Sequence, residues 1–163
     1  MDILRDENDD RPLAIVSGWS DGTVRRYHLD DVPYDSHLTI PLNPLLNNDF
    51  PRNIVFVDQA NLLVHMNSGQ LLMINDQSSV SLFYDGRSTL KNAYAKMAAT
   101  KDGRELIAVG SLDGQIFIFD KAGTIIDELQ MDGDGNKKIL QLLWLNNSSK
   151  LLVCLPDGLM VNS

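Results

Sequence analysis

The sequence of 163 residues has one cysteine, Cys154, which excludes a disulfide within the chain and a cysteine-based metal site. Long hydrophobic runs are also missing. The longest apolar stretch, residues 139–145, contains Gln141 and is far too short to cross a bilayer. Met1 is followed by acidic residues rather than by the basic and then apolar leader of a secreted protein. We therefore expect a soluble, cytoplasmic protein without a membrane partner.

Positive charge is scarce. The chain has 14 Lys and Arg against 22 Asp and Glu, which gives a net charge of −8. Such a chain repels a phosphate backbone unless its cations cluster. The basic pairs are Arg25-Arg26 and Lys137-Lys138, and two pairs in an acidic chain are more often ordinary solvated groups. Direct nucleic-acid binding by this segment is therefore disfavoured.

The sequence also lacks a catalytic set. His28, His37 and His65 are scattered, without a carboxylate or serine at the spacing of a triad or a metal site. No glycine-rich loop precedes a helix in the manner of nucleotide-binding folds. Residues 132–136 begin like a calcium loop, but Lys137 stands where the sharp-turn glycine belongs. We assign no catalytic, cofactor-binding or metal-binding residue and no cofactor, and we expect that the chain is not an enzyme.

What the sequence does contain is a repeated hairpin, seen best in residues 106–120, LIAVGSLDGQIFIFD. Two apolar runs flank Asp113-Gly114, a dipeptide that readily places both of its residues at positive φ in a two-residue hairpin turn. Residues 116–119 are apolar at every position, whereas a strand with one wet face alternates. We therefore expect this strand to be covered on both faces.

The hairpin recurs four times at an almost constant spacing. The turn glycines Gly22, Gly69, Gly114 and Gly158 lie 47, 45 and 44 residues apart. This period, with four short strands per unit, is typical of β-propeller blades. An ordinary antiparallel sandwich is the alternative, but it has no reason to keep such a period. The sequence thus predicts an all-β fold of about three to four four-stranded antiparallel blades in an incomplete ring.

The predicted domain organisation follows from this repeat. Residues 1–11 are an acidic lead-in, expected to be flexible, and residues 12–163 form a partial propeller. Its blades are centred on turns at residues 21–22, 68–69, 113–114 and 157–158. The first unit has no opening strand before Leu13 and the last lacks its fourth. We therefore expect a fragment of a longer propeller, with an exposed sheet face and strand edges prone to association.

Two segments fit the repeat less simply. Residues 30–52 hold four prolines and predict a connection with at most one short strand near residues 37–40. Residues 90–99 have the composition of a helix, but the repeat places the first strand of the third blade there. We follow the repeat, because tertiary context overrides propensity in a segment this short.

The segments VSGWSDGTVRRYHLDD (residues 16–31) and VGSLDGQIFIFD (residues 109–120) resemble the second half of WD-repeat blades. Tyr27-His28 and Phe119-Asp120 stand where that family usually has Trp-Asp, and no Gly-His dipeptide opens a unit. The resemblance implies a WD-type propeller that lacks the family's internal hydrogen-bond relay and depends more on apolar packing.

More narrowly, the order of features is similar to the WD-repeat auxiliary subunits of cytoplasmic tRNA ribose 2′-O-methyltransferases, which act on the anticodon wobble nucleotide. That resemblance implies a non-catalytic platform whose partner is the methyltransferase subunit and which meets tRNA only indirectly or through other parts of the protein. Two alternatives stay open. One is a WD-repeat scaffold of another assembly, such as a ubiquitin-ligase adaptor or a trafficking coat. The other is a fragment of a propeller enzyme.

Overall fold

The computed structural model describes residues 1–6, 9–29, 37–42, 49–90, 96–100, 105–131, 138–145 and 150–162. These residues form fifteen β-strands in four antiparallel sheets, and no helix occurs among them. None of the described residues belongs to a helix long and apolar enough to cross a membrane.

Each sheet is a meander in which neighbouring strands follow one another along the chain. The first sheet contains β1 (Asp2–Arg5), β2 (Pro12–Gly18), β3 (Thr23–His28) and β4 (His37–Pro41). The second contains β5 (Pro51–Phe56), β6 (Leu62–Met66), β7 (Gln70–Ile74) and β8 (Val80–Asp85). The third contains β9 (Lys96–Ala99), β10 (Ile107–Gly110), β11 (Gln115–Phe119) and β12 (Ile125–Gln130). The fourth contains β13 (Gln141–Trp144), β14 (Leu151–Leu155) and β15 (Gly158–Asn162).

The sheets are arranged like blades around an axis. The opening strands contact one another in sequence, β1 with β5, β5 with β9 and β9 with β13, and are therefore innermost. The strands β4, β8 and β12 are the last in their sheets and form the outer edges. The predicted fold class, antiparallel blades in an open ring, is confirmed.

Apolar side chains fill the spaces between successive sheets. One cluster joins the first sheet to the second and includes Val16, Val24 and Phe56. Further clusters lie between the second and third sheets and between the third and fourth. All residues of β6 and all residues of β10 are buried. Residues 116–119 of β11 are buried as well, which confirms the predicted cover on both faces of this strand.

The amino-terminal segment differs from its prediction. Asp2–Arg5 is not part of a lead-in but pairs with β2, and the Asp2 carboxylate accepts a hydrogen bond of 2.7 Å from the Phe56 amide in the next sheet. The expectation that the first unit lacks an opening strand is therefore wrong. β1 has only two apolar residues, Ile3 and Leu4, within a segment that is otherwise rich in acidic residues, and its contact with Phe56 lies 54 residues away, so local sequence gave no clear signal for this strand.

The hairpin turns also differ in type from the prediction. The Trp19 carbonyl accepts a hydrogen bond from the Gly22 amide at 3.1 Å, and Gly22 has φ of 80°. Asp21 and Asp113 are not among the residues with positive φ, whereas Gly69 and Gly114 are. These turns place only the glycine in the left-handed region, the geometry of a three-residue loop closed by a glycine bulge. Such a turn leaves the left-handed conformation to glycine, which has no Cβ and adopts it without steric cost.

The two segments that fitted the repeat poorly form strands where the structure describes them. The predicted short strand in the proline-rich connection is β4, and residues 96–99 form β9 rather than a helix. Residues 91–95 and the calcium-like residues 132–136 lie outside the described residues.

Gly18 ends β2 and Gly110 ends β10, which are the second strands of the first and third sheets. Both glycines allow the next sheet to approach closely. A Cβ at Gly18 would lie 2.7 Å from Cβ and Cγ of Pro51, and one at Gly110 would lie 2.8 Å from Cδ1 of Ile139. Real Cβ atoms essentially never approach so closely. The absence of a side chain here is therefore a packing requirement between blades.

Candidate interaction surface

In an antiparallel meander, the turn between the second and third strands lies at the same end as the link to the next sheet. We call this the turn end of the molecule. Six residues of the first two sheets lie there in two groups, and we call them together the Trp19 surface: Trp19, Asp21 and Arg25 in the first sheet, and Phe50, Arg52 and Asn67 in the second.

The first half of the Trp19 surface is organised by the hairpin turn between β2 and β3. Trp19 is 42% exposed, and the guanidinium carbon of Arg25 lies 3.9 Å from the centroid of its ring. The indole Nε1 donates a hydrogen bond of 2.9 Å to Ser17 Oγ. Arg25 Nη2 also donates to Asp21 Oδ2 at 3.2 Å. The exposed ring is thus held in one orientation by a cation and a hydroxyl.

The second half repeats this pairing of an arginine with an aromatic ring. The guanidinium carbon of Arg52 lies 4.8 Å from the centroid of Phe50. Arg52 Nε donates a hydrogen bond of 2.8 Å to Asn67 Oδ1 in the turn between β6 and β7. The ring and the amide together hold this guanidinium in place.

Each half has its own backbone hydrogen bonds. The Leu42 amide donates to the Gly22 carbonyl at 3.1 Å, and the Asn67 amide donates to the Phe50 carbonyl at 2.9 Å. The Asp49 carboxylate accepts from the amides of Phe50 and Ser68, at 3.0 and 2.9 Å. These hydrogen bonds form the base of the surface, and the two halves come close at Gly22, where a Cβ would lie 3.3 Å from the Asp49 carbonyl oxygen.

The electrostatics of the surface keep its acid ionised. Hydrogen bonds from the Thr23 hydroxyl and amide, together with the Arg25 charge, lower the pKa of Asp21 in spite of some burial. Asp21 thus remains a carboxylate at neutral pH and holds Arg25 beside Trp19.

His65 lies in the buried strand β6, next to this hydrogen-bonded base. Its side chain has no exposed surface, and burial lowers the pKa of His65 to about 4, although the nearby Asp49 charge opposes the shift. His65 is therefore neutral at pH 7, which agrees with packing rather than with proton transfer to a ligand in solvent.

At the opposite end, charged groups join sheets to one another. Arg26 Nη2 donates to the Gln59 carbonyl at 3.2 Å, and its guanidinium carbon lies 5.7 Å from the Phe56 ring. Lys121 Nζ lies 3.1 Å from Asp58 and 2.9 Å from Glu105. These carboxylates raise the pKa of Lys121, Glu105 most strongly. These groups serve contacts between blades, whereas the Trp19 surface presents an aromatic ring to solvent.

The structure separates the residues that the sequence singled out. Arg25 and Arg26 point to opposite faces of β3, so they do not form one basic patch. His37 stacks on Tyr27 with ring centroids 5.1 Å apart, while His65 is in another sheet. Among the residues that the structure describes, no three His, Cys, Asp or Glu side chains converge as a metal site. Lys137 lies outside the described part of the chain.

Sequence reasoning did not find the Trp19 surface. Its members come from three segments, around residues 19–25, 50–52 and 67, and only folding brings them together. The one local signal was the tryptophan beside the first turn, in SGWSDG.

Comparisons with known structures agree with the blade arrangement. The chain is similar to the C-terminal WD40 domain of Sif2, with TM-score 0.67 and 13% identity over 100% of this chain and 45% of that one. The chain has the fold of a WD40 β-propeller. A chain of the mitotic checkpoint complex gives TM-score 0.69 and 13% identity over 92% of this propeller and 43% of that chain.

A computationally designed protein, Ika4, is also similar to this propeller, with TM-score 0.64 and 16% identity over 92% of this chain and 84% of that one. The propeller thus spans less than half of the Sif2 and checkpoint chains but most of the designed one. Neither a protein-family model nor a curated protein sequence matches it.

Proposed function

We propose that this propeller is a non-catalytic interaction platform and that the Trp19 surface binds a segment of a partner protein. The observation that carries the proposal is the exposed Trp19 ring fixed under Arg25 at the turn end. Tryptophan and arginine are the residues most enriched among the energetically dominant contacts of protein interfaces. A ring that is already oriented loses little conformational entropy when it is covered.

The narrower proposal concerns the partner. The order of sequence features resembles WD repeat-containing protein six, the auxiliary subunit of the tRNA ribose 2′-O-methyltransferase of the wobble nucleotide. We therefore propose the methyltransferase subunit as the protein that this platform holds. The net charge of −8 supports contact with a protein rather than with the RNA backbone.

The test measures binding of the purified methyltransferase subunit to this chain. We expect Trp19→Ala to weaken binding about thirtyfold or more, because a central aromatic anchor contributes about 2 kcal/mol or more. Leu38→Ala is the matched control, since Leu38 is 45% exposed in the same sheet but lies outside the Trp19 surface. Equal affinities for the two variants would contradict the assignment of the surface.

The identity of the partner is tested separately in cells. Depletion of the protein should reduce 2′-O-methylation of the wobble ribose, measured by mass spectrometry of purified tRNA. Unchanged methylation would contradict the narrower proposal. The platform proposal is then judged by a pull-down of the proteins that bind the wild-type chain. Trp19→Ala should retain less of these proteins than Leu38→Ala, and equal retention by the two variants would contradict the platform proposal.

A further inference from the structure

The second sheet contains a buried histidine ring without a hydrogen bond to the protein groups around it. His65 lies in β6 with 0% exposure, and neither Nδ1 nor Nε2 is hydrogen-bonded to a residue that the structure describes. Buried polar side chains are nearly always hydrogen-bonded, because an unpaired one has lost its contacts with water and gained none in return. The ring of His65 therefore calls for a partner other than these protein groups.

A second buried atom without a hydrogen bond lies near this ring. One oxygen of Asp49, Oδ1, accepts from the amides of Phe50 and Ser68, at 3.0 and 2.9 Å. The other oxygen, Oδ2, is buried and makes no hydrogen bond to the described residues. Burial lowers the pKa of His65 and the Asp49 charge opposes that shift, so the two side chains are close enough to interact. They do not hydrogen-bond to each other directly.

The chemistry of the two groups defines what can join them. A carboxylate oxygen only accepts hydrogen bonds, whereas a neutral imidazole has one donor nitrogen and one acceptor nitrogen. His65 is neutral at pH 7, because burial lowers its pKa to about 4. A molecule between the two groups must therefore donate to Asp49 and must also donate to, or accept from, the imidazole.

The surroundings restrict the size and the charge of that molecule. The backbone of Leu90 and the charge of Arg52 both act on the ring of His65, and Leu90 is itself fully buried. Packing at Gly86 is tight, since a Cβ there would lie 2.4 Å from the Gly69 carbonyl oxygen and 2.8 Å from Cδ1 of Leu90. The packing favours a molecule with one heavy atom, and the positive charge of Arg52 disfavours a cation.

Water meets each of these requirements. We propose that His65 and Asp49 together bind one buried water molecule, which donates a hydrogen bond to Asp49 Oδ2 and is hydrogen-bonded to a ring nitrogen of His65. Buried waters typically satisfy polar groups that would otherwise be unpaired, and they are costly to remove. The water provides a partner for both of the buried groups at once.

This water connects the interior of the second sheet to the loops at the turn end. Asp49 precedes β5 and holds the amide of Ser68, in the turn between β6 and β7. His65 belongs to the buried strand β6. The sequence predicted blades without the family's internal hydrogen-bond relay, and the water gives the second blade a polar link of its own. The inference is independent of the partner of the Trp19 surface.

The first test is a crystal structure of the wild-type chain at a resolution that shows ordered water. We expect one water within about 3.2 Å of both Asp49 Oδ2 and a ring nitrogen of His65. A direct hydrogen bond between the two side chains, a metal ion in this position, or a lack of density between the two groups would each overturn the proposal.

A double-mutant cycle in urea at pH 7 tests the same link in solution. His65→Leu and Asp49→Ala each remove the shared water, so the double variant should have a folding equilibrium constant about fivefold higher than additive effects predict. His28→Leu combined with Asp49→Ala is the matched control and should be additive, because His28 is exposed at the end of β3. Additive effects of His65→Leu and Asp49→Ala would overturn the proposal. A more stable His65→Leu would do so too, since that is the result expected for a ring without a partner.

Discussion

Single residues determine how closely the blades approach one another. Gly18 and Gly110 occupy equivalent positions, four residues before a turn glycine, and each faces the start of the next sheet. The sequence revealed that these two glycines recur, but it could not reveal what they face. Pro51 and Ile139 lie 33 and 29 residues further along the chain.

The two glycines should respond differently to substitution by alanine. Gly18→Ala drives a methyl group into the rigid Pro51 ring, and we expect it to lower the free energy of unfolding by about 1–3 kcal/mol. Gly110→Ala mainly meets the end of the flexible Ile139 side chain and should cost less. Urea unfolding of both variants measures the difference, and an equal or larger loss for Gly110→Ala would contradict this explanation.

The buried imidazole of His65 makes stability depend on pH. Burial lowers the pKa of His65 to about 4 from its ordinary value of 6.5, so the unfolded chain takes up a proton before the folded chain does. Between these values the free energy of unfolding falls with falling pH, by up to about 1.4 kcal/mol per pH unit from this group.

Replacement of His65 by leucine should remove this contribution. We expect the unfolding free energy of His65→Leu to fall less steeply than that of the wild-type chain between pH 6.5 and about 4. His28→Leu is the control, because His28 is an exposed residue at the end of β3. Parallel pH profiles for His65→Leu and wild type would show that the buried imidazole is not responsible.

At the scale of elements, local sequence predicted the strands that are themselves apolar. β6, β10 and β11 consist mostly of apolar residues, with His65 and Gln115 as the polar exceptions, and a glycine follows or precedes each of them at a turn. β1 was missed because its four residues include Asp2 and Arg5, and its stabilisation comes from pairing with β2 and from the contact with Phe56. Such partners cannot be inferred from four residues of sequence.

The contact between Asp2 and the Phe56 amide should contribute measurably to stability. We expect Asp2→Ala to lower the free energy of unfolding by about 1 kcal/mol, because it removes a hydrogen bond to a charged acceptor. Asp157→Ala is a suitable control, since Asp157 is an exposed residue in the turn before β15. Thermal unfolding of the two variants at one pH compares them, and equal midpoints would mean that β1 is held by strand pairing alone.

At the scale of the whole molecule, the sequence predicted the architecture but not the surface. The period of the turn glycines gave the number of blades, because every blade needs the same tight turn between its second and third strands. The Trp19 surface depends on which loops of different blades meet, and no periodic signal records that. Residues from two sheets had to be placed in space before Trp19, Arg25 and Arg52 formed one group.

Burial differs between the strands of each sheet, and this difference predicts a gradient of protection from hydrogen exchange. Amides of β6 and β10 lie between two paired strands and are covered on both faces, so we expect the slowest exchange there. The outer strands β4, β8 and β12 should exchange fastest among the strands of their sheets, since each pairs on one side only. The opening strands also pair on one side only, but they are packed against the opening strands of neighbouring sheets. Mass spectrometry of peptic fragments resolves this order. Equal protection of β10 and β12 would contradict it.

The different burial of the second strands also has a consequence for tolerance of mutation. A saturation scan should show every apolar position of β6 and β10 intolerant of polar residues, because each of these side chains is buried. In β2 and β14, buried residues alternate with half-buried ones, so each of these strands has one less covered side. There the same scan should show tolerance at every second position as long as these sides of the first and fourth sheets are bare. The alternation of tolerance would disappear once those faces are covered. A mutational profile of these two short strands would therefore report whether the faces are covered when the protein functions.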